Sequence, residues 1–348
     1  MFKPSRRLAK LMAFWGISWL AMCACPLASA ASLDAYAGVI GGSGIGTVPG
    51  GCSNAPPPAL SFFSFTGGPW PVEGIAACGY SGSLDQVTAA TGPLGLTKSL
   101  PPVSLGPAPG SGTFEGSAQS VVDYGRLGAT AHAFIGAGRP SGNTLFQSIA
   151  AARFSDTLTA TSPLVAAASA GFVSYQFSVD GSLSALGAPE AFYFGETYMV
   201  LDLQHQGGPT YQVLNATVRR GGIGTISNRP PPAGWTTSQG SLSGGSTFFA
   251  RDFPMVWGQP WDLKVGLVAW AYGTADSNFL STARLTGVLL YDANRNLVSQ
   301  FSLSAASGTD YVTAVPEPQT WALWLLGLAG LGVRASRLRP GRPAPCPA

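Results

Sequence analysis

Phe172-Val-Ser-Tyr-Gln-Phe-Ser-Val-Asp-Gly181 decides the fold class. Aromatic and β-branched residues crowd its first eight positions, the composition of a strand. Asp180-Gly181 then favours the positive φ of a tight hairpin turn. Comparable runs follow at Phe192–Gln204, Tyr211–Arg219 and Leu263–Tyr272, each bounded by Gly or Pro. Ala283–Tyr291 and Leu297–Leu303 flank Asp292-Ala-Asn-Arg-Asn296, which reads as a closing hairpin. In its second arm Val298, Phe301 and Leu303 mix with Ser299 and Ser302, so one face can be buried and the other wet. Repeated antiparallel hairpins of this kind predict an all-β, antiparallel β-sandwich, jelly-roll-like, over residues 113–313.

Composition supports that reading. Of 348 residues, 46 are Gly and 28 Pro, and only 10% are charged, so the i,i+4 charged faces of solvated helices are missing. Residues 31–112 are less regular. GGSGIGTVPGG (41–51), APPPA (55–59) and PLGLTKSLPPVSLGPAPGSG (93–112) carry prolines that central strands exclude, because each removes a ladder donor. An irregular Gly/Pro-rich region is expected there, part of the β domain, with strands around Leu60–Phe65. GGSGIG lacks the G-x-G-x-x-G spacing and following helix of a nucleotide loop.

The two ends are different in kind. Lys3, Arg6, Arg7 and Lys10 open the chain, Leu11–Leu20 form an apolar run, and Ala28-Ser29-Ala30 supplies small residues for signal-peptide cleavage after Ala30. Cys23 and Cys25 are not lipidation sites, since Met22 is too large to precede a lipidated cysteine. At the other end Val315 leads into Pro316-Glu317-Pro318, a stiff extended triplet. Trp321, Trp324, Leu328 and Val333 belong to an apolar segment without a charge, and Arg334, Arg337 and Arg339 form a basic stop-transfer cluster. The uninterrupted run of 13 residues spans about 20 Å as a helix, so flanking residues and a snorkelling Arg334 must complete a membrane crossing. A Pro-rich tail, 340–348, follows.

Charge separates ends from body. The chain has 19 basic and 16 acidic residues; eight of the basic ones lie in the leader and tail, and Glu317 in the triplet. Subtracting them leaves 11 against 15, a net of −4. No basic stripe interleaved with aromatics remains, which argues against a nucleic-acid partner. Cys52 and Cys78 are the body's two cysteines, and in an oxidising compartment they are expected to form a disulfide rather than a metal site.

The order triplet, apolar segment, arginines resembles the PEP-CTERM sorting signal of bacterial envelope proteins. That resemblance implies an exosortase-type processing enzyme as partner, transient anchoring in the inner membrane, and a destination in the cell envelope, outer surface or extracellular matrix of a Gram-negative bacterium. Three phrases of the body also look like those common in such proteins: Asp123-Tyr-Gly-Arg-Leu127, Ala152-Arg-Phe-Ser-Asp-Thr-Leu158, and the hairpin through Asp292–Asn296.

Catalytic chemistry finds little support. No G-x-S-x-G elbow and no H-E-x-x-H occurs, and no cofactor is expected. His132 and His205 are the two histidines; Asp202 and His205 fall on opposite strand faces, and both read as solvent-facing polar residues. Asp292-x-Asn294-x-Asn296 resembles half a calcium loop but lacks the later Gly and bidentate Glu, so it reads as turn chemistry and no metal is expected. Trp257 and Trp261 flank Gly258-Gln-Pro260 and are the candidates for sugar stacking, against the alternative that they fill the core. The expected function is a non-enzymatic structural or adhesive role linked to exopolysaccharide or biofilm. A carbohydrate-binding sandwich is the alternative, and a glycan hydrolase with paired carboxylates a third reading.

Overall fold

The computed structural model describes residues 31–44, 81–107, 109–136, 138, 143–185, 195–226 and 231–311. Within them every regular element is a strand: β1 (Ser32–Gly44), β2 (Ser81–Ala89), β3 (Leu94–Ser104), β4 (Thr113–Asp123), β5 (Arg126–Ile135), β6 (Asn143–Thr161), β7 (Ala170–Ser184) and β8 (Glu196–His205). The remainder are β9 (Thr210–Arg219), β10 (Thr225–Ile226), β11 (Trp235–Ser238), β12 (Ser241–Val256), β13 (Pro260–Tyr272), β14 (Ala275–Tyr291) and β15 (Ser302–Ala305).

All strand pairs are antiparallel, and they form two sheets. Sheet A runs β10-β9-β8-β13-β6-β1-β2, with β15 also on β6; sheet B runs β11-β12-β7-β14-β5-β4-β3. Their inner faces enclose one core that includes Phe114, Phe154, Tyr175, Phe177, Trp257, Trp261 and Phe279. Burying a large apolar side chain of this kind contributes about 1.5–3 kcal/mol, so the inter-sheet layer is the main source of stability.

The β-sandwich expected from sequence is present, but three local expectations are corrected. First, Asp180-Gly181 is not a hairpin turn; β7 runs through it to Ser184. Gly181 faces Gly244 of β12, and a Cβ there would stand 2.4 Å from the Phe279 ring and 2.5 Å from the Asn278 carbonyl. The glycine makes room for a neighbouring strand's bulge, which is the other use of glycine inside a strand. Second, the supposed irregular region contains β1, β2 and β3. β1 lies between β6 and β2, with Leu33, Ala35, Ala37 and Val39 in the inter-sheet core. Its other face carries buried Tyr36 and Ile40, so the strand is apolar on both sides and shows no alternation. Pro101 and Pro102 do occur in a strand, but β3 is at the edge of sheet B and its register shifts between Leu100 and Val103. A proline is tolerated at such a place because its missing donor interrupts no ladder. Third, the closing hairpin turns as expected, but its second arm makes only a Tyr291–Leu297 bridge. The chain then crosses to sheet A, where β15 pairs β6. Residues 60–65 and the cysteines Cys52 and Cys78 lie outside the described residues.

Candidate functional site

Tyr311, the last described residue, is firmly anchored. β6 presents Asp156 with no exposure to solvent, and its carboxylate receives the end of the body. Oδ1 accepts the N–H of Thr157 at 2.9 Å and of Ser307 at 3.0 Å; Oδ2 accepts the Ser307 hydroxyl at 2.5 Å and the Tyr311 hydroxyl at 2.8 Å. Four donors on one buried carboxylate compensate its desolvation. The Ala306 N–H bonds Thr157 O at 2.9 Å, so the β15 ladder runs directly into this clamp.

Aromatic packing completes it. The Tyr311 ring stacks on Phe154 at 6.3 Å, and Tyr124 meets Phe154 edge-on at 6.4 Å. Gly125, in the left-handed region at φ 76°, turns β4 into β5; a Cβ there would lie 3.2 Å from Tyr311. Burial and the adjacent Asp156 carboxylate push the Tyr311 phenol well above the ordinary tyrosine range, so it stays a donor. Two phrases singled out in the sequence, Asp123–Leu127 and Ala152–Leu158, thus meet here. The start of the body is next to its end: Ser32 pairs with Ser155, one residue from Asp156. β1 opens two residues beyond the expected cleavage point at Ala30.

Trp257 and Trp261 are placed in the inter-sheet core at 1% and 2% exposure, so neither indole offers a face to a sugar. Trp261 belongs to a buried chain of hydrogen bonds. Its indole N–H donates to the Tyr175 hydroxyl at 2.9 Å, Tyr175 O–H lies 2.9 Å from His205 Nδ1, and His205 Nε2 lies 2.9 Å from the Pro254 carbonyl. A carbonyl only accepts, so His205 carries a proton on Nε2; the Tyr175 hydroxyl can then donate to Nδ1, which leaves the ring neutral. Burial also lowers its pKa. The expectation that His205 faces solvent is therefore corrected: it faces inward from β8 and is 6% exposed. Trp257 packs against Gly171, where a Cβ would stand 2.5 Å from Nε1.

Asp202 corrects the same expectation on the opposite face of β8. It is 8% exposed, its Oδ1 has no hydrogen-bond partner, and burial pushes its carboxyl up to about 7. That outer face of sheet A also carries a second apolar cluster: Tyr36, Ile40, Ile149, Ala151, Val268 and Trp270. Trp270 stacks on Tyr198 at 4.7 Å and on Tyr272 at 5.6 Å. His132 behaves as the sequence suggests: half-exposed on β5, its Nδ1 lies 2.5 Å from Asp276 Oδ1, and that partner raises its pKa. Asp292 spends its oxygens on its own turn, Oδ1 accepting the N–H groups of Asn294 and Asn296 at 2.8 Å each and Oδ2 the Asn296 amide at 2.9 Å. Among the described residues no group of three His, Cys, Asp or Glu side chains is placed to hold a metal ion.

The leader with Ala28 and Ala30, the sorting signal Val315–Pro318, the apolar segment with Trp321, Trp324, Leu328 and Val333, and Arg334, Arg337 and Arg339 lie outside the described residues. No described helix is long and apolar enough to cross a membrane. Residues 314–339 match a family model, the PEP-CTERM protein-sorting motif. The chain thus carries a PEP-CTERM protein-sorting motif at its C-terminal end. The motif implies an exported, envelope-associated protein that an exosortase-type enzyme processes. No curated protein and no solved structure matches the chain, so its sandwich is understood from its own residues alone. Only two residues, 312 and 313, separate the clamp from the motif.

Sequence reasoning found the motif and missed the clamp. Asp156 is an ordinary acidic residue in a β-rich run, and its partners lie about 150 positions away. The outer cluster did leave a signal: Leu33–Ile40 and Val265–Tyr272 are apolar at both odd and even positions, the mark of strands covered on both faces.

Proposed function

We propose that this PEP-CTERM protein is a non-enzymatic structural or adhesive component of the cell envelope or extracellular matrix of a Gram-negative bacterium, associated with exopolysaccharide. Its leader is removed after Ala30. The Trp321–Val333 segment is a helix that holds it in the inner membrane until processing, and Cys52 and Cys78 form a disulfide. The observation that carries this reading is the sorting motif set directly behind a closed sandwich. The polar clusters inside that sandwich also have structural occupations: Asp156 is saturated by the chain's own donors, and His205 is fixed neutral in the core. The purified body, incubated with a panel of polysaccharides, is expected to release no oligosaccharide. Hydrolysis at enzyme-like rates would overturn the proposal in favour of a glycan hydrolase.

A carbohydrate-binding role is the second reading, and it shifts from the buried tryptophans to Tyr211. That ring is 42% exposed and braced edge-on by Phe253 at 5.6 Å, a rigid aromatic face of the kind sugars stack on. Retardation of the body in gels containing the host's polysaccharide, lost in Tyr211→Ala, would favour it. Unchanged mobility would remove it.

A further inference from the structure

We propose that the outer face of sheet B binds a carboxylated polysaccharide, a proposal that rests on the exopolysaccharide association above and names its chemistry. Arg126 and Arg284 clamp a carboxylate there, and Phe249 stacks on a sugar ring. Arg126 of β5 and Arg284 of β14 stand directly opposite each other in the ladder. Their neighbours Leu127 and Ala283 are buried between the sheets, so both arginines point outward, where both are exposed. The register is locked, since the Leu285 N–H bonds the Gly125 carbonyl at 2.9 Å. Side chains so placed have Cβ atoms about 5 Å apart, and like charges in that position destabilise a sheet. Lys98, Arg153, Arg219 and Arg295 each reach a carboxylate. Among the described residues Arg126 and Arg284 reach none: Asp123 faces Arg126 from β4, but its Oδ1 accepts the Tyr124 N–H at 2.9 Å and makes no ion pair. Two unpaired guanidinium groups held side by side form a site for a carboxylate, because each offers a planar fork of donors.

A flat polar floor leads from this pair to an aromatic ring. Arg284 is opposite Ser178 of β7, which is opposite Thr247 of β12. Gly287, Gln176 and Phe249 form the next row on the same face. Phe249 is 38% exposed, and Arg251 lies over its ring at 4.9 Å, which braces the ring and adds a third positive charge. β12 is two strands from β14, so Phe249 stands about 10 Å across the face from the arginines' strand. An exposed ring takes the apolar side of a sugar, hydroxyl and amide side chains take its hydroxyls, and the arginine pair takes its carboxylate. Charge decides against a polyphosphate: Asp123, Asp180 and Asp252 share this face, and the body is net −4. Isolated positive spots suit a chain with spaced carboxylates rather than one with a phosphate on every nucleotide. The members come from four strands, so register assembles the surface and no basic run marks it in the sequence.

The test is affinity electrophoresis of the protein purified from its native host, in gels containing polygalacturonate, neutral dextran or DNA. Polygalacturonate is expected to retard it, less so as salt is raised, with little effect from dextran or DNA. Replacing both arginines, Arg126→Gln with Arg284→Gln, is expected to raise the apparent Kd about tenfold or more. The thermal transition should stay level or rise, because a repulsion is removed; a pair with a merely structural role would lower it. Arg284→Glu, which can pair with Arg126 across the ladder, should abolish retardation with the fold intact, and it decides the question even if the double variant does not fold. Phe249→Ala should weaken binding several-fold. Undiminished retardation of the arginine variants, or dextran or DNA retarding as strongly as polygalacturonate, would overturn the proposal and leave the polysaccharide association standing. No retardation by polygalacturonate, dextran or the host's own polysaccharide would overturn both.

Discussion

At the scale of single residues, the buried polar groups divide into satisfied and unsatisfied ones, and they predict opposite behaviour. Asp202 is unsatisfied. Its carboxyl titrates near 7 in the fold against 3.8 in an open chain, so between those values the native state holds the extra proton. Stability accordingly falls as pH rises from about 4 to 7 and levels off above. Asp202→Asn removes the buried charge, so the variant should exceed the parent in urea unfolding at pH 8 by about 2–4 kcal/mol, the difference vanishing near pH 4. Equal stability at pH 8 would mean that the carboxylate has a partner. His205 acts in the other direction on the acid side: neutral in the core, it withdraws stability as pH drops below its ordinary value near 6.5. Trp261→Phe leaves the Tyr175 oxygen without its donor and vacates space between the sheets. A loss of about 2–4 kcal/mol is expected by the same unfolding measurement. A much smaller loss would show that the Trp261–Tyr175–His205 chain does not stabilise the core.

At the scale of elements, the strands legible in the sequence were those rich in β-branched and aromatic residues between clear breakers. β9 and β13 fall within three residues of their expected limits because Gly and Pro bound them and their composition is plainly β. β1 was not legible, since SLDAYAGVIGGSG is rich in Ala and Gly and has only two β-branched residues to mark it as a strand. Asp180-Gly181 was misleading for a physical reason: the same dipeptide that suits a turn also suits a strand where a Phe ring and a carbonyl press on the backbone. Gly181→Ala should therefore cost about 2 kcal/mol or more through overpacking, whereas a hairpin glycine would also register at the turn itself. Amide exchange can tell these apart, since the account predicts weakened protection across β7, β12 and β14 together. Of the candidate site, the sorting signal was readable because its parts are contiguous. The Asp156 clamp was not, because a carboxylate and donors brought from the far end of the chain leave no spacing to recognise.

At the scale of the molecule, the body is an acidic two-sheet sandwich between two basic terminal segments. Its apparent excess of positive charge belongs to those segments, and their removal reverses the sign. The fold closes at Tyr311, and the sorting motif begins three residues later, so delivery signal and cargo are joined with almost no linker. The central claim is that this chain is exported and cut at that junction. Intact-mass measurement of the protein isolated from its native host tests it most directly. The account predicts one species that starts at Ala31 and ends between Val315 and Pro318. A mass that still includes Trp321–Val333 would contradict it and make the tail a permanent anchor.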